Sequence, residues 1–354
     1  MLNPVFWAVS GNRSVSYHHQ AACRWHKRAR ELFKRNQRAG AFLTHSPTSR
    51  LVDWFWSRPY LLLTFTALFW AGNSIVGRAA RDVVPPVALA FWRWALALAL
   101  LLPFAWPHLR RDLPVLRRNW IWVVALGTLG IGAFNTLLYT GLRSTTALNG
   151  MLLQSLQPAL IVLLGAIIFH ERVRVPQVLG VALSIGGALM IVLAGDLSRL
   201  RAMAFNPGDL VICAAVVVWS FYAVLLRKRP AVHPLSFLAT TFAMGLAALF
   251  PFYLGEIANG RLIVNTTDSW LAISYVCVFP SLIAYLFFNR GVELLGSAPT
   301  ALYLNIMPVI GAVLAYVLLA EPIRWFHFLG MGLIGVGILC ASNEARDRIM
   351  RISA

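Results

Sequence analysis

The sequence predicts an all-α integral membrane protein of about ten transmembrane helices, arranged as two inverted five-helix repeats. Three observations carry that expectation. Hydrophobic residues make up 59% of the 354 residues and charged residues only 12%, with mean hydropathy +0.69, whereas soluble chains carry about 25% charged residues. Apolar stretches long enough to cross a hydrocarbon core of roughly 30 Å recur along the chain. And the chain is self-similar at a shift of 150 residues.

Residues 1–57 differ in character from the rest of the chain: ten Lys and Arg, counting Arg58 at the edge, face only Glu31 and Asp53. With no apolar core of signal-peptide type, secretion is not implied. Trp25, Ala29, Leu32 and Phe33 fall on one helical face, as in a basic amphipathic helix on an anionic leaflet. The segment reads as a dispensable extension; an over-extended start, with no second Met before Met151, or a transit peptide are the other readings.

The spans are expected at 60–77, 87–106, 120–142, 145–169, 176–195, 209–226, 235–255, 269–290, 297–320 and 325–342. In lipid the backbone must satisfy its own hydrogen bonds, and β-barrel alternation is missing, so these are helices. The repeats are expected at 58–195 and 209–343, with a tail at 344–354. With both termini cytoplasmic, 23 of the 31 Lys and Arg lie inside and seven outside, or 13 to seven without the amino-terminal segment. That is the positive-inside bias, and it makes the +18 net charge a membrane signature rather than a nucleic-acid one. Cys23, Cys213, Cys277 and Cys340 form no CxxC pair or metal spacing and read as small core residues.

The repeat aligns Ala147–Met190 on Ser297–Cys340 without gaps, with ten identities in 44 positions. Matched pairs include Pro158 with Pro308, Glu171 with Glu321, Arg174 with Arg324, Gly180 with Gly330 and Gly187 with Gly337. Trp70 and Arg78 correspond to Trp219 and Arg227 at an offset of 149. Five helices per copy is odd, so the second copy enters the membrane inverted, the architecture of alternating access. The prolines are expected to kink their helices, the glycines to permit close packing, and Glu171 and Glu321 to pair at the interface, ion coupling being the other role open to them.

Phe69–Trp70–Ala71–Gly72–Asn73, Pro85–Pro86 leading to Arg93, and the paired Pro-to-Glu-to-Gly segments resemble the EamA-type family of drug/metabolite transporters over residues 58–343. The resemblance implies a ten-helix fold of two five-helix bundles in a bacterial-style cell (inner) membrane, with export or uptake of amino acids or other metabolites. It does not identify the substrate.

Polar residues within the spans are the candidates for a solute path. Arg93 lies about 10 Å into the second helix at 1.5 Å per residue; it reads equally as a substrate-facing cation or as a structural anchor snorkelling outward. Trp70, Asn73, Ser74 and Gly77 share one face of the first helix; Thr128, Gly132, Asn135 and Tyr139 form a stripe on the third. Gln154 precedes the proline of the fourth, Trp219 and Tyr222 mark the sixth, Ser281 and Tyr285 the eighth, and Tyr303 and Asn305 the ninth. Each alone could be interhelical glue; stripes on several helices favour a shared cavity for amphipathic organic solutes.

The absence of GxxxxGK[ST] excludes an ATP-driven pump with its own nucleotide domain from this chain. No carboxylate falls in the middle of a span, so facilitated exchange or export is expected over a buried-carboxylate proton relay. The expected function is secondary transport of a small-molecule substrate such as an amino acid, with no cofactor; a homodimer is left open. An intramembrane enzyme is the competing class, yet His170, His233 and His327 sit apart at span ends. A membrane scaffold would need an effector domain, which the short loops do not supply.

Overall fold

The structure, a computed structural model, describes residues 53–170, 175–196, 198, 206–295, 300 and 303–352, with the side chains of 292, 305, 338–339 and 341–352 outside the description. The expected amphipathic helix of the basic segment, Glu171 and Arg174 therefore lie outside the described residues. What is described is helical. The membrane helices are α1 (Pro59–Ala79), α2 (Pro86–Arg118), α3 (Trp120–Leu142), α4 in two pieces (Ala147–Gln154 and Gln157–Phe169), α5 (Val175–Val192), α6 (Pro207–Leu225), α7 (Pro234–Ala258), α8 (Thr267–Leu295), α9 (Met307–Leu319) and α10 (Trp325–Ile352). Eight are long and apolar enough to cross a bilayer, and α9 and α10 supply shorter apolar stretches.

Several helices start on a proline, where the missing N–H costs nothing. Two run past their expected ends. α2 continues through Pro103, Pro107 and Pro114 to Arg118, and α10 continues through the expected tail to Ile352. Pro158 and Pro308 do more than kink their helices. α4 breaks at Ser155–Leu156 and restarts at Gln157 with the proline in its first turn. α9 begins the same way, after a 3-10 turn at Leu304–Ile306. Proline lacks the N–H that would bond the carbonyl four residues back and crowds that carbonyl, and a chain with neighbours to satisfy the freed groups can break there.

A π-helical segment interrupts α3 at Gly127–Ala133 and α8 at Phe279–Ile283. These segments overlap at the 150-residue shift and end at the same place, so the distortion recurs in both halves. Such bulges shift the side chains beyond them around the helix axis.

Packing crosses the repeat boundary. α1, from the first half, packs against α8 and α9; α6, from the second, packs against α3 and both pieces of α4. Two antiparallel pairs join these bundles, α2 with α7 and α5 with α10. The first pair is stapled at both ends. Glu256 on α7 accepts from the backbone N–H groups of Val87 (3.2 Å) and Ala88 (2.8 Å) at the start of α2. At the other face Asp112 on α2 accepts from the N–H of His233 (2.9 Å), which precedes α7. Each carboxylate thus meets the positive end of its partner's dipole. His233 also stacks on His108 at 3.6 Å, and burial followed by that neighbour draws its pKa below the ordinary histidine value, Asp112 acting against them. The neutral ring accepts from the N–H of Leu235 and caps α7.

The α5–α10 pair rests on the repeated glycines. A Cβ at Gly187 would lie 2.5 Å from the carbonyl oxygen of Gly330, and one at Gly337 would come closer still to that of Gly180. Both obstacles are backbone and cannot rotate away. Gly187→Ala and Gly337→Ala are therefore expected to destabilise the protein by about 1–3 kcal/mol through overpacking. Gly186→Ala, with nothing within 4 Å of the added atom, serves as the control. Thermal unfolding of purified protein in detergent should fall for the first two and hold or rise for the control; equal behaviour of all three would remove the close packing as the cause.

Candidate functional site

Arg93 does not snorkel. It is 4% exposed and reaches toward helices of both bundles. Its Nε donates to Ser281 Oγ on α8 (2.5 Å), and its Nη1 to Asn73 Oδ1 on α1 (2.9 Å), Asn135 Oδ1 on α3 (2.7 Å) and Tyr139 Oη on α3 (2.7 Å). The Tyr139 hydroxyl donates in turn to Asn73 Oδ1 at 2.7 Å. An arginine near a helix centre costs about 2.5–3.5 kcal/mol to insert, and hydrogen bonds to a charged group return about 1.5–3 kcal/mol each. The four oxygens offset the insertion cost but are all neutral. Among the described residues the ion pairs join Arg78 to Glu321, Arg81 to Asp82 and Arg290 to Glu293, and none involves Arg93.

The π segments place these partners. Asn135 and Tyr139 come just after the bulge of α3, and Ser281 lies within that of α8. The indole N–H of Trp70 donates to the carbonyl of Pro280 in the same bulge (3.1 Å), and the ring meets Tyr285 edge-on at 5.9 Å and Phe288 at 5.6 Å. Ser74 is buried and accepts from Gln154 Nε2 at a long 3.5 Å. Gln154 ends the first piece of α4, where the helix breaks. Trp219 and Tyr222 form a separate aromatic group with Phe134, against Gly130 in the α3 bulge. The side chain of Asn305 lies outside the described residues. The structure thus gathers Asn73, Arg93, Asn135 and Tyr139 at one point, with Ser74 and Gln154 alongside and Trp70 and Tyr285 linked through α8. Ser281, singled out with Tyr285 on the eighth helix, completes the cluster.

Sequence reasoning missed a second set of polar contacts, at the face opposite the chain termini (the distal face). Glu321 was expected to pair at the interface, with Arg324 three residues on as its nearest cation. It does pair there, with Arg78 rather than Arg324, and also turns to the start of α4, accepting from the N–H groups of Ala147 and Leu148 at 2.9 Å each. Arg78 Nε stands 3.9 Å away, and Arg78 Nη1 donates to the carbonyls of Leu142 (2.8 Å) and Arg143 (2.9 Å) at the end of α3. Asp209, at the start of α6, accepts from the Thr145 hydroxyl and from Asn149 Nδ2 at 3.3 Å. His327 completes the set: its Nδ1 accepts from Arg324 N–H, so Nε2 donates to Asn149 Oδ1 at 3.0 Å. Below this layer α9 crosses α4 so closely that a Cβ at Gly311 would run into Met151 Sδ. A cleft of about 270 Å³ lined by Arg78, Arg81, Asp82 and Glu321 opens to the distal face above it. The first piece of α4 touches α1 and α9 as well as α5, α6 and α10, whereas the second keeps to α5, α6 and α10. The two bundles therefore meet on the distal side of the α4 break.

A multi-pass membrane protein of two inverted halves, with a polar cluster between them, has the form of a carrier. The chain belongs to the EamA-like transporter family, whose model matches residues 57–193 and again 206–343. The uncharacterized transporter YyaM of Bacillus subtilis is 29% identical over 81% of this chain and 94% of its own length. A probable terminal-alkyne amino-acid exporter of Streptantibioticus cattleyicolor is 25% identical over 82% and 96%. The aromatic amino acid exporter YddG of Ancylobacter novellus is 27% identical over 66% and 79%. A solved crystal structure shares the fold with TM-score 0.54 at 24% identity, over 82% of this chain and 98% of that one.

If the distal contacts hold the bundles together, Glu321→Ala should weaken that closure by about 1–2 kcal/mol, the usual loss for a removed helix cap. That shifts the closed population by roughly 5–30-fold. The check is labelling of a cysteine placed at Ser74, with the four native cysteines replaced by serine, by an impermeant maleimide added from the distal side. Labelling should rise in the Glu321 variant; an unchanged rate would reduce the contact to packing.

Proposed function

We propose that the protein is a secondary carrier that exports or exchanges small organic metabolites such as amino acids by alternating access, the two bundles rocking about the polar cluster between α1, α2, α3 and α8. The observation that carries this reading is the arrangement of polar contacts along the bundle interface. A buried cluster lies at depth, and the contacts of Glu321 with the start of α4 and of Arg78 with the end of α3 join the bundles on the distal side above it. Binding energy at such a site biases a two-state equilibrium, and no covalent step is needed. Two relatives named as exporters of amino acids support the solute class.

In this reading Trp70, Asn73, Ser74, Asn135, Tyr139 and Gln154 border the solute path, with Tyr285 beside Trp70 and with Trp219 and Tyr222 further along α6. The basic bias of the loops supports a cytoplasmic location of both termini; in this reading of a cell (inner) membrane carrier the distal face is external and the closed side is the outer one. The family and the names of the relatives support a carrier over an intramembrane enzyme.

Counterflow in proteoliposomes tests the proposal. Vesicles preloaded with unlabelled amino acids, other carboxylates or nucleobases are expected to accumulate the matching labelled solute, saturably and only when the internal solute matches. Correctly inserted protein that exchanges none of these would count against amino acids first, and a broader metabolite panel that also failed would count against carriage.

A further inference from the structure

We infer that Arg93 is the carboxylate-binding residue of the transported solute, and that the solute's carboxylate displaces the neutral oxygens which hold this guanidinium between the two bundles. The inference rests on the carrier reading and names what that carrier recognises: an organic acid with an apolar or aromatic body.

Four observations support it. First, arginine side chains keep their charge in proteins, and this one is buried among oxygens that carry no charge. The three buried carboxylates among the described residues, Asp209, Glu256 and Glu321, are spent on helix starts and polar contacts elsewhere. A structural arginine at this depth would be expected beside one of them. Second, Nη1 has two hydrogens and three acceptors: Asn73, Asn135 and Tyr139. The three oxygens compete for two hydrogens, so the bonds are shared and a carboxylate can compete for them. Third, Nη2 has no hydrogen-bond partner among the described residues, so Nη1 and Nη2 together present the fork that takes a carboxylate end-on. Fourth, the Arg93 Nε and the Trp70 indole end on adjacent residues of the α8 bulge, Ser281 and Pro280. A solute whose carboxylate meets Arg93 therefore has the Trp70, Tyr285 and Phe288 rings nearby for its apolar part.

The displacement also supplies the trigger for movement. Asn135 and Tyr139 belong to the bundle of α3, α4 and α6, whereas Asn73 and Ser281 belong to that of α1, α8 and α9. While the site is empty Arg93 ties the two together; a bound carboxylate takes over the guanidinium and loosens the tie.

The test compares amino acids with their carboxamides, which keep the body and the amine and lose the charge. Counterflow and thermal stabilisation of the detergent-purified full chain are read side by side. The parent protein should prefer each acid over its amide by on the order of 10–100-fold, the worth of a charge-assisted bond. Arg93→Gln should abolish that preference and Arg93→Lys retain part of it. Tyr139→Phe removes a competing oxygen and should raise the acid-to-amide ratio a few-fold; it keeps the test open should Arg93→Gln fail to fold. Equal use of acid and amide by the parent, an acid preference surviving in Arg93→Gln, or a lowered ratio in Tyr139→Phe would overturn the inference. Exchange of solutes without acid preference sinks this inference and leaves the carrier reading intact. Arg93-dependent stabilisation by acids without any counterflow does the reverse. A chain that neither exchanges nor is stabilised by any acid sinks both.

Discussion

Hydrocarbon offers no hydrogen bonds, so each polar group that this chain carries into the membrane has to find its partner on another part of the same chain. Most of the architecture can be traced to how that demand is met. The first N–H groups of α2 and α4 meet Glu256 and Glu321, and α7 is met at its N-cap by Asp112. The Trp70 indole is met by a carbonyl that the α8 bulge frees. In each of these cases donor and acceptor come from opposite halves or from helices exchanged between them. Satisfying the polar groups and joining the repeats are therefore one process. Apolar burial could not do this alone, because lipid tails are as apolar as leucine and exert no drive toward helix association.

The same demand separates fixed contacts from movable ones. α2 and α7 are stapled at both faces at once, and the distal end cannot open without exposing the buried Glu256 carboxylate and two bare backbone donors. α5 and α10 meet backbone to backbone through Gly180, Gly187, Gly330 and Gly337, a fit without slack. The contacts of Glu321 and Arg78 differ. They close one face, they sit beside a cleft open to that face, and they join the two bundles rather than a stapled pair. A frame of two rigid antiparallel pairs with a closure on one side is mechanically suited to rocking.

The sequence was most legible where one residue type has one meaning in lipid. Long apolar runs gave the helices, and the 150-residue shift gave the inversion. The polar residues of α1 and α3 converge on Arg93 because a helical stripe must face something polar. Less legible was anything decided by distant backbone. Glu321 has Arg324 three residues away, a spacing that suggests a local pair, but two free N–H groups at the start of α4 compete better for a carboxylate. Pro158 and Pro308 mark a disturbance, yet whether a helix bends or breaks depends on which neighbours can take the freed carbonyls. The π segments have no composition of their own: Gly127–Ala133 and Phe279–Ile283 share little in sequence and are recognisable only from their hydrogen bonds.

Those two segments also separate what the duplication kept from what it changed. The backbone distortion recurs in both halves, and it reorients the residues beyond it in each. The residues are not the same: Asn135 corresponds to Tyr285 at the 150-residue shift, and Tyr139 to Asn289. The stretch of α7 that corresponds to Arg93 is Thr241–Phe242; the Thr241 hydroxyl bonds back to its own helix, and Phe242 packs on Trp94. One half thus contributes a buried cation and the other an aromatic ring at the matching place. Rocking needs the two halves to be alike in backbone, so that either face can be closed by equivalent helices. Recognition of a solute with a charged end and an apolar end needs them to be unlike in side chain. A duplicated fold meets both needs only if its repeats diverge at the residues after each bulge and agree in the bulge itself, and that is the pattern this chain carries.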